Sequence, residues 1–388
     1  MAERVQADLE LMLTELEQME RVGLLNHAET KLVIKKRKKF EYKLQKQSKV
    51  KEDILCYIQY ESGLLDLIEM RRDKIGYLHK KNEIDGSIAK RINQLFRIVE
   101  HRFGQTDAKL WISHLAFLKR MDWNAEAGKI LERFTQALCH KEEVWIFAAR
   151  FQMENQNSIN IARTTLLKGL RFHKDSIKIY REYFMLEMEF LKKLTEKPEL
   201  AEEFEDGKTE ILEGKIVQTV FLEAIENINE PVFAAELLGL ALKSGIPKLF
   251  DNLKAALLEK YGDQSWSWLI LINLELYPKP NEDRTTSQKM SNFSTEVQKG
   301  LDSMKTQDFL AEILKLLQEI SENHTHLQNF CEETVFQVLN TGKNLDILTE
   351  EQLRLANFAY RLKMSTTRHT SESAGLGASK KPKSMFET

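Results

Sequence analysis

The sequence predicts an all-α fold, an α-solenoid of antiparallel helix pairs, from three observations. The 388 residues include only 6 Pro and 16 Gly. Both counts are low, since Pro and Gly make up ~5% and ~7% of the residues of an average protein, and a β-rich fold would need more of these turn-forming residues. Hydrophobic residues make up 42% of the chain and charged residues 30%, a balance that suits long amphipathic helices. An aromatic pattern also recurs with a nearly constant spacing, which is typical of helical repeats.

The recurring pattern places an aromatic or apolar residue first, an aromatic, apolar or small residue three positions later and an apolar residue six positions later. Three consecutive copies stand 34 and 35 residues apart. Between these copies, residues 127–138 and 161–170 have the apolar periodicity of a second helix, so each unit is predicted to be an antiparallel helix pair. The first residues of the six candidate copies are Ile54, Trp111, Trp145, Tyr180, Val232 and Trp268, of which the copy at Val232 is the weakest.

The same pattern predicts which side chains form the core. At about 100° per residue, positions 0, +3 and +6 form one stripe, and position +7 returns beside the first residue. Several copies carry Glu at +7, where a buried carboxylate needs a cationic partner, and Arg133, Arg163 and Lys168 are candidates. Leu118 and Gln152 replace this Glu in two copies. The predicted repeat-core residues are Ile54, Tyr57, Tyr60, Glu61, Trp111, Phe117, Trp145, Phe151, Tyr180, Tyr183, Glu187, Trp268 and Glu275.

Composition divides the chain into predicted segments. Helix-start signals include Asn26 followed by Glu29 three residues later, the spacing of a capping box. An acidic insertion at 195–207 lengthens one interval between copies, and residues 309–320, 327–339 and 351–362 have helical periodicity. The segments are an N-terminal helical cap with a basic helix (1–53), the repeats (54–277), a polar loop (278–294), C-terminal helices with degenerate repeats (295–364) and a disordered tail (365–388).

Basic residues concentrate in one segment, although the whole chain is nearly neutral, with 57 Lys+Arg against 59 Asp+Glu. Residues 31–51 include ten basic residues and one acid, Glu41. The five consecutive basic residues at 35–39 turn through roughly 400° of helix, so they cannot all share one solvated face. The predicted binding residues are Lys35, Lys36, Arg37, Lys38 and Lys39, with Arg71 and Arg72 as secondary candidates.

Four interpretations of this basic segment remain open. Its positive charges can be neutralised by an RNA phosphate backbone or by an acidic protein surface. A run of basic residues of this kind can also be bound by a nuclear import receptor. Alternatively, it is a basic helix offset by the acidic first thirty residues.

Motifs for catalysis or metal binding are not recognised. Cys56, Cys139 and Cys331 are widely spaced, without the CxxC spacing of a zinc module. His324 and His326 lack a third ligand at a suitable spacing. The sequence contains no Walker loop, no HExxH and no GxSxG motif. We therefore expect a non-enzymatic protein without a metal or cofactor.

The repeat unit resembles the HAT (half-a-tetratricopeptide) repeat, so the predicted solenoid is HAT/TPR-like. The N-terminal block at 16–24, 34–44, 53–61 and 71–76 is more specific and resembles the start of the U3 small nucleolar RNA-associated protein 6 family. Residues 169–173, followed by Tyr180 and Tyr183, also match that family's pattern.

This resemblance implies a function in ribosome biogenesis. It implies a nucleolar, non-enzymatic scaffold of the U3 small nucleolar ribonucleoprotein and the small-subunit processome, acting in pre-rRNA processing. The implied partners are protein subunits of this assembly, together with U3 small nucleolar RNA or pre-rRNA. Two alternatives are a HAT-repeat scaffold of the splicing or messenger RNA 3′-end processing machinery, and a direct RNA-binding protein that uses its basic helix.

Overall fold

A computed structural model describes residues 2–76, 81–156, 158–196, 214–246, 248–276, 286–323 and 328–344. These residues form sixteen helices, and none of them lies in a β-strand. The predicted all-α class is therefore confirmed. The chain divides into two compact units, residues 1–179 and 180–388, and the division falls inside one helix.

In the first unit, consecutive helices pack as pairs, and each pair also contacts the next. Because the connections within pairs are short, paired helices run antiparallel. The helices are α1 (Ala2–Arg21), α2 (His27–Leu44), α3 (Lys51–Ile75), α4 (Lys81–Phe103), α5 (Ala108–Arg120), α6 (Asn124–Ala137), α7 (Glu142–Gln156) and α8 (Ile159–Phe172). One hydrophobic core runs from Leu16 in α1 to Phe151 in α7. The segment predicted as a cap, 1–53, thus shares its core with the first repeats.

The second unit has the same kind of local packing, in which helices contact both their neighbours and the next helix but one. Its helices are α9 (Ile177–Glu196, which begins before the division), α10 (Lys215–Ile228), α11 (Pro231–Ser244), α12 (Leu249–Tyr261), α13 (Ser265–Leu274), α14 (Thr286–Met304), α15 (Gln307–Asn323) and α16 (Gln328–Asn344). The helical periodicity at 309–320 lies within α15, and residues 328–339 lie within α16.

The capping box predicted at the start of α2 is present. The Asn26 side-chain oxygen accepts from the Glu29 backbone N–H at 2.8 Å, and the Glu29 carboxylate accepts from the Asn26 backbone N–H at 2.9 Å. These two bonds satisfy N–H groups that have no partner inside the helix, so α2 begins at a defined residue. This fixes the register of the basic residues that follow.

The tryptophan anchors of the repeats share one contact that the sequence pattern does not reveal. Each indole Nε1 donates to a backbone carbonyl in the connection before its own helix: Trp111 to Gly104 at 2.9 Å, Trp145 to Cys139 at 3.0 Å and Trp268 to Gly262 at 3.0 Å. The anchor therefore fills the core with its ring and holds the preceding connection with its N–H.

The remaining predicted core residues are buried, except that Tyr60 is half-buried at the side of α3. Glu61, Glu187 and Glu275 are buried despite their charge. Arg133, predicted as a partner of such a carboxylate, instead lies over the Trp111 ring, 5.8 Å from its centroid. Glu61 finds its cations in other helices, as described below.

The frame predicted for the weak copy at Val232 is wrong. Val232 is 79% exposed, whereas Phe233 and Ala234 are buried. Pro231 occupies the first turn of α11, a position where its fixed φ and missing N–H are tolerated. The helix that starts there turns residues 233, 234, 237 and 238 inward.

The polar loop predicted at 278–294 is also corrected, because residues 286–294 belong to α14. Phe293, Val297 and Leu301 are spaced by four residues and buried together, so they form one apolar face whose burial stabilises a helix with many polar residues. Residues 277–285 lie outside the described residues, as do most of the acidic insertion, the histidines at 324 and 326, the predicted helix at 351–362 and the tail at 365–388.

We expect Trp145→Ala to destabilise its surroundings by roughly 3–5 kcal/mol, because it opens a cavity in the core. The ring stacks on Phe172 with centroids 5.5 Å apart, and a Cβ added at Gly169 would lie 2.9 Å from it. Hydrogen exchange measured by mass spectrometry should show the largest loss of protection in α6–α8, since repeats are stabilised by their neighbours.

Trp145→Phe is the matched control for this change. It keeps an aromatic ring but removes the bond to Cys139 and part of the buried ring, so its effect should be clearly smaller than that of Trp145→Ala. An equal loss of protection in every helix after Trp145→Ala would contradict the repeat organisation.

Candidate interaction surface

Packing of α2 separates its charged residues into a buried and an exposed group. Val33, Arg37, Glu41 and Leu44 are buried, and their spacing of three or four residues defines the inner face of the helix. The opposite side of α2 carries most of the lysines.

Four of the predicted binding residues form this exposed group, which we call the lysine face: Lys35, Lys36, Lys38 and Lys39. Within the described part of the chain, none of these lysines forms a hydrogen bond or ion pair. Lys36 Nζ lies 5.1 Å from the centroid of the Tyr60 ring, a cation–π distance. The lysine face is therefore available to an anionic partner.

Arg37, predicted as part of the same binding surface, is instead completely buried. Its Nε and Nη2 donate to the two carboxylate oxygens of Glu61, both at 2.8 Å, and its Nη1 donates to Glu15. Burial lowers the pKa of Arg37, but the charges of Glu61 and Glu15 outweigh it and raise the pKa overall. Arg37 holds helices together and is not available to a partner.

Arg37 belongs to a larger set that we call the buried ionic network: Glu15 of α1, Arg37 of α2, Glu61 of α3 and Arg91 of α4. Arg91 Nη1 donates to Glu15 at 2.7 Å and lies 3.5 Å from Glu61. Burial raises the pKa of Glu15, but Arg37 and Arg91 lower it more, so Glu15 stays ionised. Two cations and two carboxylates thus neutralise one another at the centre of the first four helices.

The secondary candidates Arg71 and Arg72 are both engaged within the first unit. Arg71 forms two bonds of 2.7 Å with the Glu29 carboxylate and donates to the Leu24 carbonyl at 2.8 Å. These Arg71 bonds, with the backbone N–H of Asn26, lower the pKa of Glu29 to about 2. Arg72 is buried and donates to Asp85 at 2.6 Å. Neither arginine forms part of an open basic surface.

An apolar groove lies beside the lysine face, between α2 and α3. It has a volume of about 480 Å³, and Lys36 and Tyr60 belong to its lining. Leu32 is 63% exposed there, and Val33 and Leu64 form part of its floor. We call this feature the α2–α3 groove. An apolar groove with Lys36 in its lining suits an amphipathic segment that also carries an acidic side chain.

Sequence reasoning missed a second group of cations, which gathers at the C-terminal half of α4. A groove of about 690 Å³, here called the α4 groove, is lined by Lys49, Gln94, Arg97, Ile98, His101, Arg102 and Arg133. The spacing of residues 94, 97, 98, 101 and 102 places them along one side of α4. Lys49 and Arg133 come from other elements, so only the fold brings the set together.

Other kinds of site find no support among the described residues. No cluster of three or more His, Cys, Asp or Glu residues there has the arrangement of a metal site. Likewise, none of the helices in these ranges is long and apolar enough to cross a membrane. The three cysteines are free thiols, of which Cys56 is exposed and Cys331 buried.

The fold and its surfaces define the class of protein: an all-α helical-repeat protein with an exposed lysine face. Residues 9–93 match the model of the family described as U3 small nucleolar RNA-associated protein 6. The human protein named U3 small nucleolar RNA-associated protein 6 homolog is 35% identical over 303 residues, which cover 74% of this chain and 50% of the human protein.

More distant relatives carry the same name. The protein from Schizosaccharomyces pombe is 27% identical over 238 residues, 61% of this chain and 48% of its own length. The homolog from Dictyostelium discoideum is 21% identical over 392 residues, 87% of this chain and 63% of its own length.

The aligned part of the chain belongs to this family, which confirms the resemblance predicted from the N-terminal block. The chain spans about half the length of the mammalian and fission yeast relatives. The segment matched by the family model contains the lysine face and all four members of the buried ionic network.

We expect Arg37→Met to destabilise α1–α4 by roughly 3–5 kcal/mol, because it leaves the two buried carboxylates of Glu15 and Glu61 with Arg91 as the remaining cation of the network. Lys38→Met removes the same charge from the neighbouring, exposed position, and its effect should stay within about 0.5 kcal/mol. Hydrogen exchange of peptides from α1–α4 measures both changes. Equal effects of the two substitutions would show that Arg37 is not held as described.

Proposed function

We propose that the chain is a non-enzymatic scaffold subunit of the U3 small nucleolar ribonucleoprotein in the small-subunit processome, where it acts in pre-rRNA processing. The observation that carries this proposal is the 35% identity over 303 residues with a human protein named for its association with U3 small nucleolar RNA. The proposed location is accordingly the nucleolus.

The geometry supports a scaffold role through surfaces that are shaped before a partner arrives. Packing in helix pairs and the buried ionic network fix the position of α2 against α3. The α2–α3 groove and the lysine face therefore keep the same position relative to each other. Rigid surfaces lose little conformational entropy on binding. A partner segment would place its apolar side chains against Leu32 and Tyr60 and its acidic side chains near Lys36, since complementary charges guide docking.

Affinity purification of the tagged full chain from nuclear extract tests this function. We expect U3 small nucleolar RNA to be enriched over spliceosomal RNAs, together with the proteins of the U3 particle. Recovery of splicing or messenger RNA 3′-end processing factors without U3 RNA would overturn the proposal in favour of another RNA-processing scaffold. The untagged chain, expressed at the same level, controls for background.

A second candidate function is direct RNA binding through the lysine face, favoured by four exposed cations without an ionic partner among the described residues. The test changes Lys35, Lys36, Lys38 and Lys39 to Ser and retains Arg37, because the loss of Arg37 would disturb the core. If this candidate is right, crosslinking of the purified chain to RNA should fall at least about tenfold, since each cation at a phosphate adds to affinity. The helical circular-dichroism signal should remain.

The matched control removes four lysines that are also exposed and form no ion pair within the described ranges: Lys74, Lys90, Lys119 and Lys174. Its RNA crosslinking should stay close to that of the unchanged chain. If the lysine-face variant crosslinks as well as this control, the lysine face is not an RNA-binding surface.

A further inference from the structure

We propose that the α4 groove binds the phosphodiester backbone of a nucleic-acid strand. This site is distinct from the lysine face, and it goes beyond the proposed function, because a scaffold can join a ribonucleoprotein through protein contacts alone. The inference depends on the charge, the arrangement and the chemistry of the side chains that line the groove.

The charge of the groove is strongly one-sided. Four of its seven lining residues are Lys or Arg, and none of the lining residues that the structure describes carries a carboxylate. The described residues offer Lys49 and His101 no hydrogen bond or ion pair. Arg97 pairs with Glu126, but Glu126 also binds Lys129 at 3.1 Å, so one carboxylate serves two cations. The groove therefore retains an excess of positive charge that an anion would neutralise.

Three separate elements hold these cations in place. Arg97 and Arg102 project from successive turns of α4, Arg133 comes from α6, and Lys49 lies in the connection between α2 and α3. The Arg133 guanidinium lies over the buried Trp111 ring, and Arg102 Nη2 lies 3.4 Å from the Gln47 carbonyl. Because these contacts restrict the two arginines before binding, less entropy is lost when an anion arrives.

The chemistry of the lining suits a chain of phosphates. Three of the cations are arginines, whose planar forks donate pairs of hydrogen bonds to phosphate oxygens. Cations on three elements around an open groove suit several phosphates in a row better than one isolated ion. No Phe, Tyr or Trp is among the described residues that line the groove, so these residues offer no large aromatic surface for base stacking. Recognition should therefore depend on the backbone and be nearly independent of base sequence.

The test measures binding of a fluorescein-labelled, mixed-sequence single-stranded RNA of about 12 nucleotides, a length in the usual range for such sites. Fluorescence anisotropy is recorded with the purified full chain at several salt concentrations. The groove variant combines Lys49→Gln, Arg102→Gln and Arg133→Gln and leaves the Arg97–Glu126 pair intact. The control variant combines Lys74→Gln, Lys119→Gln and Lys174→Gln, which removes the same three charges outside the groove.

We expect the groove variant to bind at least about tenfold more weakly and the control variant to change little. The slope of log affinity against log salt should become shallower by about 2 in the groove variant, because each phosphate contact with a single strand contributes about 0.7. Arg102→Gln alone changes one exposed side chain and should weaken binding about threefold. This single variant keeps the test valid if the triple variant loses helical structure.

Binding of other ligands in the same assay defines which chemical group the groove recognises. A DNA strand that binds as well as RNA supports recognition of the phosphodiester backbone itself, whereas tighter binding of RNA supports an added contact to the ribose hydroxyl. Equal affinity of the groove variant and the unchanged chain would overturn the proposal. Equal weakening in the control variant would also overturn it, and so would tighter binding of poly-glutamate with the same number of charges.

The RNA-binding assay and the affinity purification together distinguish a failure of the groove proposal from a failure of the proposed function. If purified chain does not bind RNA but the tagged chain recovers the U3 particle, the groove proposal fails and the scaffold function stands. If the groove binds RNA but the tagged chain does not recover U3 RNA, the groove proposal stands and the assignment to this particle fails.

Discussion

The need to neutralise charge inside the first four helices is the constraint on which the organisation of the first unit depends. An unpaired guanidinium or carboxylate in the core would cost several kcal/mol, so Arg37 can be buried only where Glu15 and Glu61 meet it. Each member of the buried ionic network comes from a different helix. A shift of any helix by one residue would rotate a charge away from its partners, so the network selects a single register.

This role concerns specificity more than net stability. Removing charges from water is costly, and well-packed apolar side chains of similar volume often stabilise a protein as much as a buried ion pair does. Apolar groups, however, tolerate several registers, whereas the two-point bond between Arg37 and Glu61 tolerates one. The orientation of Arg37 also determines which side of α2 is exposed. Because Arg37 points into the core, the other four basic residues of the run face solvent: Lys35, Lys36, Lys38 and Lys39. The lysine face is thus positioned by a residue that does not belong to it.

The sequence predicted the helix pairs because aromatic anchors leave a periodic signal that survives without knowledge of the partners. It could not identify which cation in 35–39 is buried, because five neighbouring basic residues carry no local apolar pattern and the deciding carboxylates lie in other helices. The errors at Val232 and 286–294 have a similar cause. In both places, the residue types alone do not show which side is buried. The frame of α11 depends on how the helix turns after Pro231, and the helix at 286–294 depends on the shared face of Phe293 and Val297.

The two basic surfaces differ in how they arise, and this difference bears on what each can recognise. The lysine face comes from one helix, and its flexible ammonium groups act as mobile point charges that accept many anionic shapes. The α4 groove combines arginines from two helices with a lysine from a connection, and contacts to Trp111 and Gln47 restrict the arginines. A surface of the first kind favours rapid, tolerant docking, whereas one of the second kind can require a regular spacing of anions. In the proposed function, the lysine face would attach the chain to an assembly while the α4 groove holds a nucleic-acid backbone.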